Sequence, residues 1–365
     1  MSITDKHNVA KNKICVVNPN YYQSSGVTHV IKRLYQGFQD FYPNDFDFCF
    51  VDCLYGSECS EATWIENGCY FSFKLMSNNP FVVTVELFRF IKWVRQNKFD
   101  VIHVHHRRLL ALLNVILIFT SSRIVYTGHV MYANNVLFKL LAWNDSCAIS
   151  TAVGDNLKST TRSKRVTFVG NPVNFPAKPQ TITIDDVKDC AVSIGRLVPI
   201  KGHCFIIEAF YLLKLRGINK KLIIVGEGPE EGRLNKLIAT YGLEDSISLV
   251  GYTDDVAPFI SNALFAILHS STEGLALVIV EAAAMARATL MTGIEGTRET
   301  VPPDSVLPNL VSFGDVETLA DYLEKWFQQP SIVVEEGEKF FRYLYEKHST
   351  RNVVSRYRDE YVRVP

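Results

Sequence analysis

The sequence predicts an α/β protein built from two doubly wound parallel sheets. Short runs rich in Val and Ile alternate with helix-like segments of ten or more residues, an order typical of parallel sheets connected through helices. The chain has 365 residues, which is enough for two domains with separate cores. Pro172, Pro176 and Pro179 make the segment between the halves stiff and irregular, so we place the domain boundary there.

Each run that we expect to form a strand is short, apolar and bounded by polar or turn-forming residues. In the first half these runs are Ile14–Asn18, Phe46–Asp52, Val101–His105, Arg123–Thr127, Cys147–Ser150 and Arg165–Val169. In the second half they are Ala191–Ile194, Lys221–Val225, Ile247–Val250, Leu264–Leu268, Thr289–Met291 and Leu310–Ser312. Two Rossmann-like domains joined at the Pro-rich segment would face a central cleft at the carboxyl ends of their strands, where such folds bind ligands.

Composition excludes several classes of protein. The 38 basic residues balance 38 acidic ones and no nucleic-acid-binding signature is present, so we expect no nucleic-acid partner. No two of the eight cysteines form a Cys-x2-Cys pair, and no carboxylate or Cys completes a set with His103, His105 and His106, so we predict no metal site. The polar first residues lack the apolar stretch of a secretory signal, and we expect a cytoplasmic protein.

Two glutamates are the strongest candidates for a ligand site. Glu273 lies in a small polar turn, whereas Glu281 lies in a nearly continuous apolar run that predicts a buried helix. A buried carboxylate is costly unless it is hydrogen-bonded, and the hydroxyl groups of a sugar or ribose would supply such partners. Alternatively, Glu273 caps the helix and Glu281 is a structural acid.

A Gly-bounded segment supplies two cations. Residues 195–202 read Gly-Arg-Leu-Val-Pro-Ile-Lys-Gly and follow an expected strand, so Arg196 and Lys201 can both reach the carboxyl edge of that sheet. Cations and helix N-terminal N–H groups that are already in place stabilise a departing diphosphate. Either residue alone would be an ordinary solvated surface cation.

These segments resemble the signature of the retaining GT-B glycosyltransferases of family four, the type that assembles bacterial surface polysaccharide or lipopolysaccharide. Residues 270–281 resemble that family's Glu-Gly-x-Gly stretch with its second Glu, and residues 292–299 resemble its Thr-Asp-x-Gly-Gly-x-x-Glu element. Residues 195–202 resemble its phosphate-binding segment, while 225–229 and 249–252 fall where the family has Gly-x-Gly-Pro and Phe-x-Gly.

The resemblance implies a role for each matched residue. Glu281 would bind the ribose hydroxyls, Glu273 the transferred sugar, and Arg196 with Lys201 the diphosphate. The further donor-binding positions that it implies are Leu275, Ala276, Leu277, Gly251, Tyr252 and Gly296. It also implies a metal-independent reaction without a cofactor, in which the co-substrate is a UDP- or GDP-sugar whose own phosphate assists departure on the same face.

The resemblance is weaker in the first half. Gly26 matches the second Gly of a loop that approaches the donor phosphate or the acceptor, although Ser25 replaces the first Gly. His129 matches a histidine that contacts the transferred sugar, but Val130 replaces the acidic residue that usually follows it.

The same resemblance assigns the domains. Residues 1–172 would form an N-terminal acceptor-side domain, and residues 173–345 a C-terminal nucleotide-sugar-binding domain. A C-terminal helix over about 346–365 would pack back on the first domain.

The second half departs from the family at two places. Ala276 stands at a family Gly, and its methyl group should narrow the approach to the donor sugar. Met285-Ala286-Arg287 replaces a common Ala-Gly pair, and the effect of either change on donor choice is open. Gly226-Glu227-Gly228 also resembles a dinucleotide fingerprint, but Glu231 replaces its third glycine.

Two segments bear on membrane contact. Leu109–Thr120 is too short to span a bilayer, and a buried helix explains it. Residues 81–98 combine aromatic residues with Arg and Lys at helical spacing, so this helix either lies on an anionic membrane surface or packs on a sheet with its cations solvated.

The sequence therefore predicts a retaining hexosyltransferase that moves a sugar from a nucleotide donor to a hydroxyl group of a glycan, polyprenol-linked or lipid A-linked acceptor. The expected setting is polysaccharide, lipopolysaccharide or O-antigen biosynthesis in the cytoplasm, with peripheral contact at the inner face of the membrane. The alternatives are a nucleotide-sugar epimerase of the same fold and a catalytically silent, glycosyltransferase-like binding subunit.

Overall fold

The computed structural model describes residues 11–19, 21, 26–54, 69–114, 118–133, 135–141, 144–163, 165–179 and 189–363. The chain divides into two compact units. Unit 1 comprises Met1–Ile149, Val153–Pro172 and Arg351–Pro365, and unit 2 comprises Ser150–Ala152 and Val173–Thr350. Each unit is built on one parallel sheet.

The described strands of unit 1 form a seven-stranded sheet. They are β1 (Asn12–Asn18), β2 (Phe46–Asp52), β3 (Cys69–Ser72), β4 (Val101–Val104), β5 (Arg123–Gly128), β6 (Asp145–Ala148) and β7 (Val166–Phe168). Their order is β3-β2-β1-β4-β5-β6-β7, and all neighbours are parallel. The chain extends the sheet in opposite directions from β1 and β4, so the topological switch point lies between these two strands.

The described helices of unit 1 before Pro172 lie between strands of its sheet, and the first two residues of the last of these helices belong to unit 2. They are α1 (Gly26–Phe41), α2 (Pro80–Asn97), α3 (Arg107–Leu113), α4 (Val136–Leu141) and α5 (Thr151–Thr160). The ends of α2 show how local residues begin and end a helix. At its start, the Asn79 side chain accepts a hydrogen bond from the Phe81 N–H at 3.0 Å, and Pro80 occupies the first helical turn. Lys98, with φ 53°, ends the helix in the left-handed region.

The sheet of unit 2 contains six described strands. They are β8 (Cys190–Ile194), β9 (Lys221–Val225), β10 (Ile247–Leu249), β11 (Phe265–Leu268), β12 (Thr289–Thr292) and β13 (Leu310–Val311). Their order is β10-β9-β8-β11-β12-β13, again with parallel neighbours. The switch point of this sheet lies between β8 and β11.

The helices of unit 2 enclose an apolar core. They are α6 (His203–Leu215), α7 (Glu231–Thr240), α8 (Ala257–Asn262), α9 (Leu277–Ala284), α10 (Glu295–Arg298), α11 (Val316–Gln328) and α12 (Pro330–His348). Trp326 is fully buried, its ring centroid lies 4.9 Å from that of Phe265, and its indole N–H donates to the Pro308 carbonyl at 3.0 Å. This bond satisfies the polar atom of a large, fully buried ring.

The last helix, α13 (Thr350–Tyr361), follows α12 after a break at Ser349, and its residues from Arg351 onward belong to unit 1. Val353, Val354, Tyr357 and Tyr361 are buried in the unit 1 core. The helix at the C-terminus is therefore an integral part of the unit that contains β1.

All the strands that the sequence predicts are present, with ends shifted by a few residues at most. Strand β3 was missed because its four residues are only half apolar and partly exposed. The expectation of a buried helix over Leu109–Thr120 is confirmed as far as Leu113, where α3 ends, and wrong for Ile118 and Phe119, which are 76% and 47% exposed. None of the described helices combines the length with the apolar character that a membrane-spanning segment requires.

Candidate active site

The switch point of unit 2 brings together two loops that the sequence singled out. Strand β8 leads into the Gly195–Gly202 loop, and the neighbouring strand β11 leads into the loop that contains Glu273. Parallel strands end at the same edge of a sheet, and ligands of doubly wound folds bind at this position. The two loops are joined by a hydrogen bond from the Ser271 N–H to the Ile200 carbonyl at 2.8 Å.

Lys201 and Glu273 form an ion pair across these loops. The Lys201 Nζ lies 2.5 Å from the Glu273 Oε1, and their side chains are only 19% and 12% exposed. The low exposure strengthens the electrostatic attraction and also makes the loss of either partner costly. The structure thus brings together two residues for which the sequence predicted related functions.

The turn that carries Lys201 depends on the glycine that follows it. Pro199–Lys201 form a single 3-10 turn, and Gly202 has φ 62° in the left-handed region. A Cβ at Gly202 would lie 2.2 Å from the His269 carbonyl oxygen. Only glycine fits both the backbone conformation and this close approach, so Gly202 fixes the position of Lys201.

Arg196 lies on the same loop and is exposed to solvent. Its neighbours are held by backbone hydrogen bonds from the Gly195 N–H to the Val225 carbonyl at 3.0 Å and from the Leu197 N–H to the Glu227 carbonyl at 2.8 Å. A Cβ at Gly226 would lie 2.0 Å from the Gly195 carbonyl oxygen. The close approach of these two loops explains why position 226 is a glycine, so no dinucleotide-binding fingerprint is needed to account for it.

Gly296 belongs to α10 and lies against the backbone of the Glu273 loop. A Cβ there would lie 2.1 Å from the Glu273 carbonyl oxygen. Thr292, at the end of β12, donates its hydroxyl group to the Ser270 carbonyl at 2.6 Å and fixes the same loop from the other side. Gly296 and Thr292 therefore position Glu273 through its main chain.

Glu281 lies half-buried on α9, whose other residues, apart from Leu277, are buried. Leu275 and Ala276 are buried just before this helix, and Ala276 at its N-cap provides no side-chain cap for the helical N–H groups. The first turn of α9 contains no acidic residue. The helix thus presents uncapped N–H groups and the positive end of its dipole beside the Glu273 loop.

Gly251 and Tyr252 follow β10. The Gly251 carbonyl accepts a hydrogen bond from the Gly226 N–H at 2.8 Å, which joins this segment to the loop after β9. Tyr252 is 44% exposed, and its hydroxyl group donates to Asp254.

The residues at the end of α9 that depart from the family pattern, Ala286 and Arg287, have structural features of their own. The buried Arg287 guanidinium donates to the carbonyl groups of Ala263, Met285 and Ser261, which holds α8 and the end of α9 together. Ala286 has φ 52°, a conformation that favours glycine.

Two buried histidines in unit 2 were missed by sequence reasoning. His203 directly follows Gly202, and its Nδ1 lies 3.3 Å from the Ser193 hydroxyl group. His269 precedes Ser270, and its Nε2 accepts a hydrogen bond from the Gly314 N–H at 2.9 Å. Burial lowers the pKa of both side chains to about 4, so both are neutral at pH 7. The sequence offered one signal that these histidines belong to the site, namely that they are adjacent to the segments of the two loops.

In unit 1, His129 pairs with His105 beyond the carboxyl ends of the adjacent strands β5 and β4. The His105 Nδ1 and the His129 Nε2 are 2.9 Å apart. Burial lowers the pKa of His129 to about 4 and that of His105 well below its usual value, so one neutral ring donates to the other. Gly26 is the first residue of α1, whereas Ser24 and Ser25 lie outside the described residues.

His103 has a different role from its neighbours. Its Nδ1 lies 2.7 Å from the Tyr361 hydroxyl group, and its Nε2 lies 2.7 Å from the Thr127 hydroxyl group, which also contacts the hydroxyl group of Tyr357 at 3.0 Å. Burial lowers the pKa of His103 to about 3. This network attaches α13 to strands β4 and β5. In the described part of the chain, no group of three or more His, Cys, Asp or Glu side chains could hold a metal ion.

Comparisons with known proteins agree with this architecture. Residues 174–346 match the family described as Glycosyl transferases group 1. A protein named for colanic acid biosynthesis, the glycosyltransferase WcaL of Escherichia coli (strain K12), is 32% identical over 169 residues, which are 44% of this chain and 39% of WcaL. The poly(ribitol-phosphate) α-N-acetylglucosaminyltransferase of Staphylococcus aureus (strain COL) is 24% identical over 164 residues, 45% of this chain and 33% of that enzyme.

Among solved structures, Anabaena HepE (Alr3699) in complex with UDP superimposes with a TM-score of 0.78 at 14% identity, over 96% of this chain and 99% of HepE. By contrast, the sequence alignments cover 34% of one curated relative and 56% of another, so the chain spans about a third to just over half of their lengths. The likeness in fold therefore extends much further along the chain than the likeness in sequence.

The two parallel sheets and the neighbours in fold define a protein of the GT-B class. Within that fold class, residues 174–346, just under half of the chain, are similar to the group 1 glycosyl transferases.

Proposed function

We propose that the protein is a metal-independent, retaining glycosyltransferase that moves a sugar from a nucleotide-sugar donor to a hydroxyl group of a glycan or lipid-linked acceptor. The observation that carries the proposal is the ion pair between Lys201 and Glu273 at the switch point of unit 2. It joins a cation of the segment that we propose binds the diphosphate to a carboxylate of the segment that we propose binds the sugar. A donor whose diphosphate and sugar are adjacent requires both groups at one place.

Lys201 and Arg196 would stabilise the leaving diphosphate. The Lys201 ammonium has three N–H donors, so it can keep its bond to Glu273 and still donate to a phosphate oxygen. Arg196 is exposed at the edge of the sheet and would add the second cation. The negative charge on the diphosphate grows as the glycosidic bond breaks, so both contacts would be stronger in the transition state than in the ground state.

The sugar and ribose would bind on either side of this diphosphate. Glu273 would accept hydrogen bonds from hydroxyls of the transferred sugar, and Glu281 on α9 would accept them from the ribose. The backbone around Ala276 and Gly296 would line the donor, as would the side chains of Leu275, Leu277 and Tyr252 and the backbone of Gly251. From unit 1, we propose His129 as a contact of the sugar and Gly26 as a backbone contact of the donor phosphate or the acceptor.

In the proposed reaction, the bond between the sugar C1 and the diphosphate oxygen breaks. The acceptor oxygen then bonds to C1 on the face that the diphosphate leaves, and the acceptor's proton passes to a departing phosphate oxygen. In this scheme neither glutamate transfers the proton, and Arg196 and Lys201 take the place of a metal ion in stabilising the leaving group.

The similar proteins suggest the class of donor and product. HepE was solved with UDP and with UDP-glucose, which supports a UDP-sugar as the first donor to test and a GDP-sugar as the second. WcaL and the Staphylococcus aureus enzyme are named for colanic acid and poly(ribitol-phosphate), which supports a cell-surface polymer as the product. We propose the cytoplasm as the site of synthesis. A lipopolysaccharide or O-antigen intermediate belongs to the same class of acceptor.

The test is a thermal-shift screen of UDP, GDP and ADP and their sugars, because a ligand that binds only the folded state raises its melting temperature. The donor that stabilises the protein is then incubated with it in the presence of EDTA. NMR follows the slow hydrolysis of the donor and the transfer of its sugar. We expect hydrolysis to persist in EDTA and the first product to keep the donor's anomeric configuration. An inverted product or activity restored only by a divalent ion would refute the corresponding part of the proposal.

The same assay separates the alternatives. A changed sugar that remains attached to the nucleotide would identify an epimerase. Nucleotide binding without hydrolysis, and without transfer to any glycan acceptor, would identify a silent binding subunit.

A further inference from the structure

Helix α2 of unit 1 carries large apolar side chains on its solvent-facing side. Phe81 is 75% exposed and Phe88 is 67% exposed, and Val85 lies between them on the same stripe of the helix at 42%. The opposite side buries Phe90 and Val94 in the core. A helix that only packed on the sheet would place polar side chains at the exposed positions.

A second segment extends this apolar surface. Ile118 and Phe119 are exposed, and Phe119 lines a pocket of about 470 Å³ together with Phe88 of α2. We call Phe81, Val85, Phe88, Ile118 and Phe119 the apolar patch. Contiguous exposed apolar surface of this kind marks a site of interaction with a membrane or another molecule.

Cations border the apolar patch. Lys92 and Arg95 continue the stripe of Phe88 by one and two turns, and Lys98 ends the helix; all three are exposed, and none forms an ion pair within the described part of the chain. The acidic residue of α2, Glu86, is buried and pairs with Arg89 at 2.6 Å. The charge that α2 presents to solvent is therefore strongly positive.

Beside these cations lies a second pocket, of about 600 Å³, which shares Arg95 and Phe119 with the first. Lys98, Arg123 and Arg363 also line it. Asp100 is the acid in its lining, and its carboxylate accepts the backbone N–H of Lys13 at 2.7 Å. Arg123 pairs with Asp145 at 3.7 Å and Arg363 with Glu360 at 3.1 Å, so Arg95 and Lys98 supply the net positive charge of this pocket. Such a pocket adjoining an apolar one matches a ligand with an anionic head and an apolar body.

We propose that the apolar patch and its cations form a docking surface for a membrane that contains anionic phospholipids. Phe81, Phe88 and Phe119 enter the boundary between headgroups and acyl chains, and Lys92 and Arg95 contact the headgroup phosphates. Charge complementarity favours a lipid surface over an uncharged apolar partner. The proposal goes beyond glycosyl transfer, and vesicle binding is measured without any donor or acceptor, so the two proposals fail independently.

The first experiment is co-sedimentation with phosphatidylcholine vesicles that contain or lack phosphatidylglycerol. We expect binding only to the anionic vesicles, at low salt, with release as salt rises. Lys92→Gln with Arg95→Gln should lower the partition coefficient by about 25-fold, because each cation contributes about fivefold. The matched control, Lys236→Gln with Lys325→Gln on exposed positions of unit 2, removes the same charge and should bind like the wild type.

The second experiment measures insertion of the patch. Phe81→Ser with Phe88→Ser should lower binding at least about 30-fold, because two exposed aromatic side chains no longer leave water. When the Phe88→Trp variant binds vesicles, its tryptophan fluorescence should shift to the blue, and brominated lipids should quench it. Both changes are measured relative to the wild type, which has four tryptophans. Both variants change exposed positions, and circular dichroism checks their folding.

Three results would overturn the proposal. They are no binding of the folded wild type to anionic vesicles at low salt, binding that survives both double substitutions, and a protein dimer that Phe81→Ser with Phe88→Ser dissociates while vesicles have no effect. The last result would identify a second copy of the chain as the occupant of the patch.

Discussion

The Lys201 Nζ lies 2.5 Å from the Glu273 Oε1, although the two residues come from different loops of unit 2. Because both side chains are largely buried, removing one leaves the other charge without its partner in a poorly solvated place. A fall in the turnover of a single variant therefore includes any loss of stability, so each single variant is compared with the double variant.

The first prediction uses Lys201→Met, Glu273→Gln and the double variant. Each single variant should be less stable than the double variant, because the double variant leaves no unpaired charge. Turnover should fall by about 100-fold or more in the double variant, as expected when a leaving-group contact is removed. Urea unfolding and donor turnover are measured on all four proteins. A double variant that regains both stability and turnover would show that the pair is only structural.

The second prediction concerns Arg196, which is exposed. Arg196→Ala should leave the free energy of unfolding within about 0.5 kcal/mol of the wild type, as is usual for exposed side chains. Turnover should nevertheless fall by about 100-fold, because the diphosphate loses a cation in the transition state. Lys236→Ala, an exposed substitution on α7, serves as the control and should change neither quantity. Wild-type turnover in Arg196→Ala would remove this residue from the proposed site.

The third prediction separates the two glutamates. Free UDP carries the ribose but no transferred sugar, so its affinity should fall in Glu281→Gln and stay near the wild-type value in Glu273→Gln. Contacts that are equal in ground and transition states affect binding, so Glu281→Gln should mainly raise KM, whereas Glu273→Gln should mainly lower kcat and weaken discrimination between epimeric donors. Calorimetry and steady-state kinetics test this. The reverse pattern would exchange the two assignments.

The fourth prediction is a loss of stability in acid. Burial lowers the pKa of His103 to about 3 and that of His129, His203 and His269 to about 4, against 6.5 in the unfolded chain. Between these values the unfolded state binds more protons, so the free energy of unfolding falls as pH drops from 6.5 towards 4, and is unaffected above pH 7.

Each such histidine contributes at most about 1.4 kcal/mol per pH unit in this window. His203→Gln should therefore reduce the slope of unfolding free energy against pH by up to that amount, as measured by urea unfolding from pH 7.5 to 4.5. An unchanged slope would mean that His203 is protonated as easily in the folded protein as in the unfolded chain.

The fifth prediction concerns Ala286, whose φ of 52° lies in the left-handed region. Ala286→Gly should stabilise the protein by about 1 kcal/mol, because glycine adopts this conformation without strain. Ala239→Gly, at an exposed position within α7, is the matched control and should destabilise by about 1 kcal/mol. Thermal and urea unfolding measure both variants. Destabilisation by Ala286→Gly would mean that contacts of the Ala286 methyl group outweigh the backbone strain.

The sequence by itself determined the fold class, all but one of the described strands, and the segments of the candidate site. Periodicity and turn residues are local properties, so they can be read without knowing what lies next to them in space. Strand β3 escaped because four residues with only two large apolar side chains give too weak a local pattern. In the folded sheet of unit 2, β8 lies next to β11, so the segments around Arg196 and Glu273 meet at the same edge of that sheet.

Only the tertiary structure established which side chains meet. The pairs Lys201–Glu273 and His105–His129 join loops that follow different strands, and no local pattern encodes them. The same is true of α13, whose tyrosines are buried in unit 1, and of Phe119, which the apolar run Leu109–Thr120 predicted to be buried although it is exposed. Burial and pairing depend on what the rest of the chain places against a residue, and that is a property of the folded molecule.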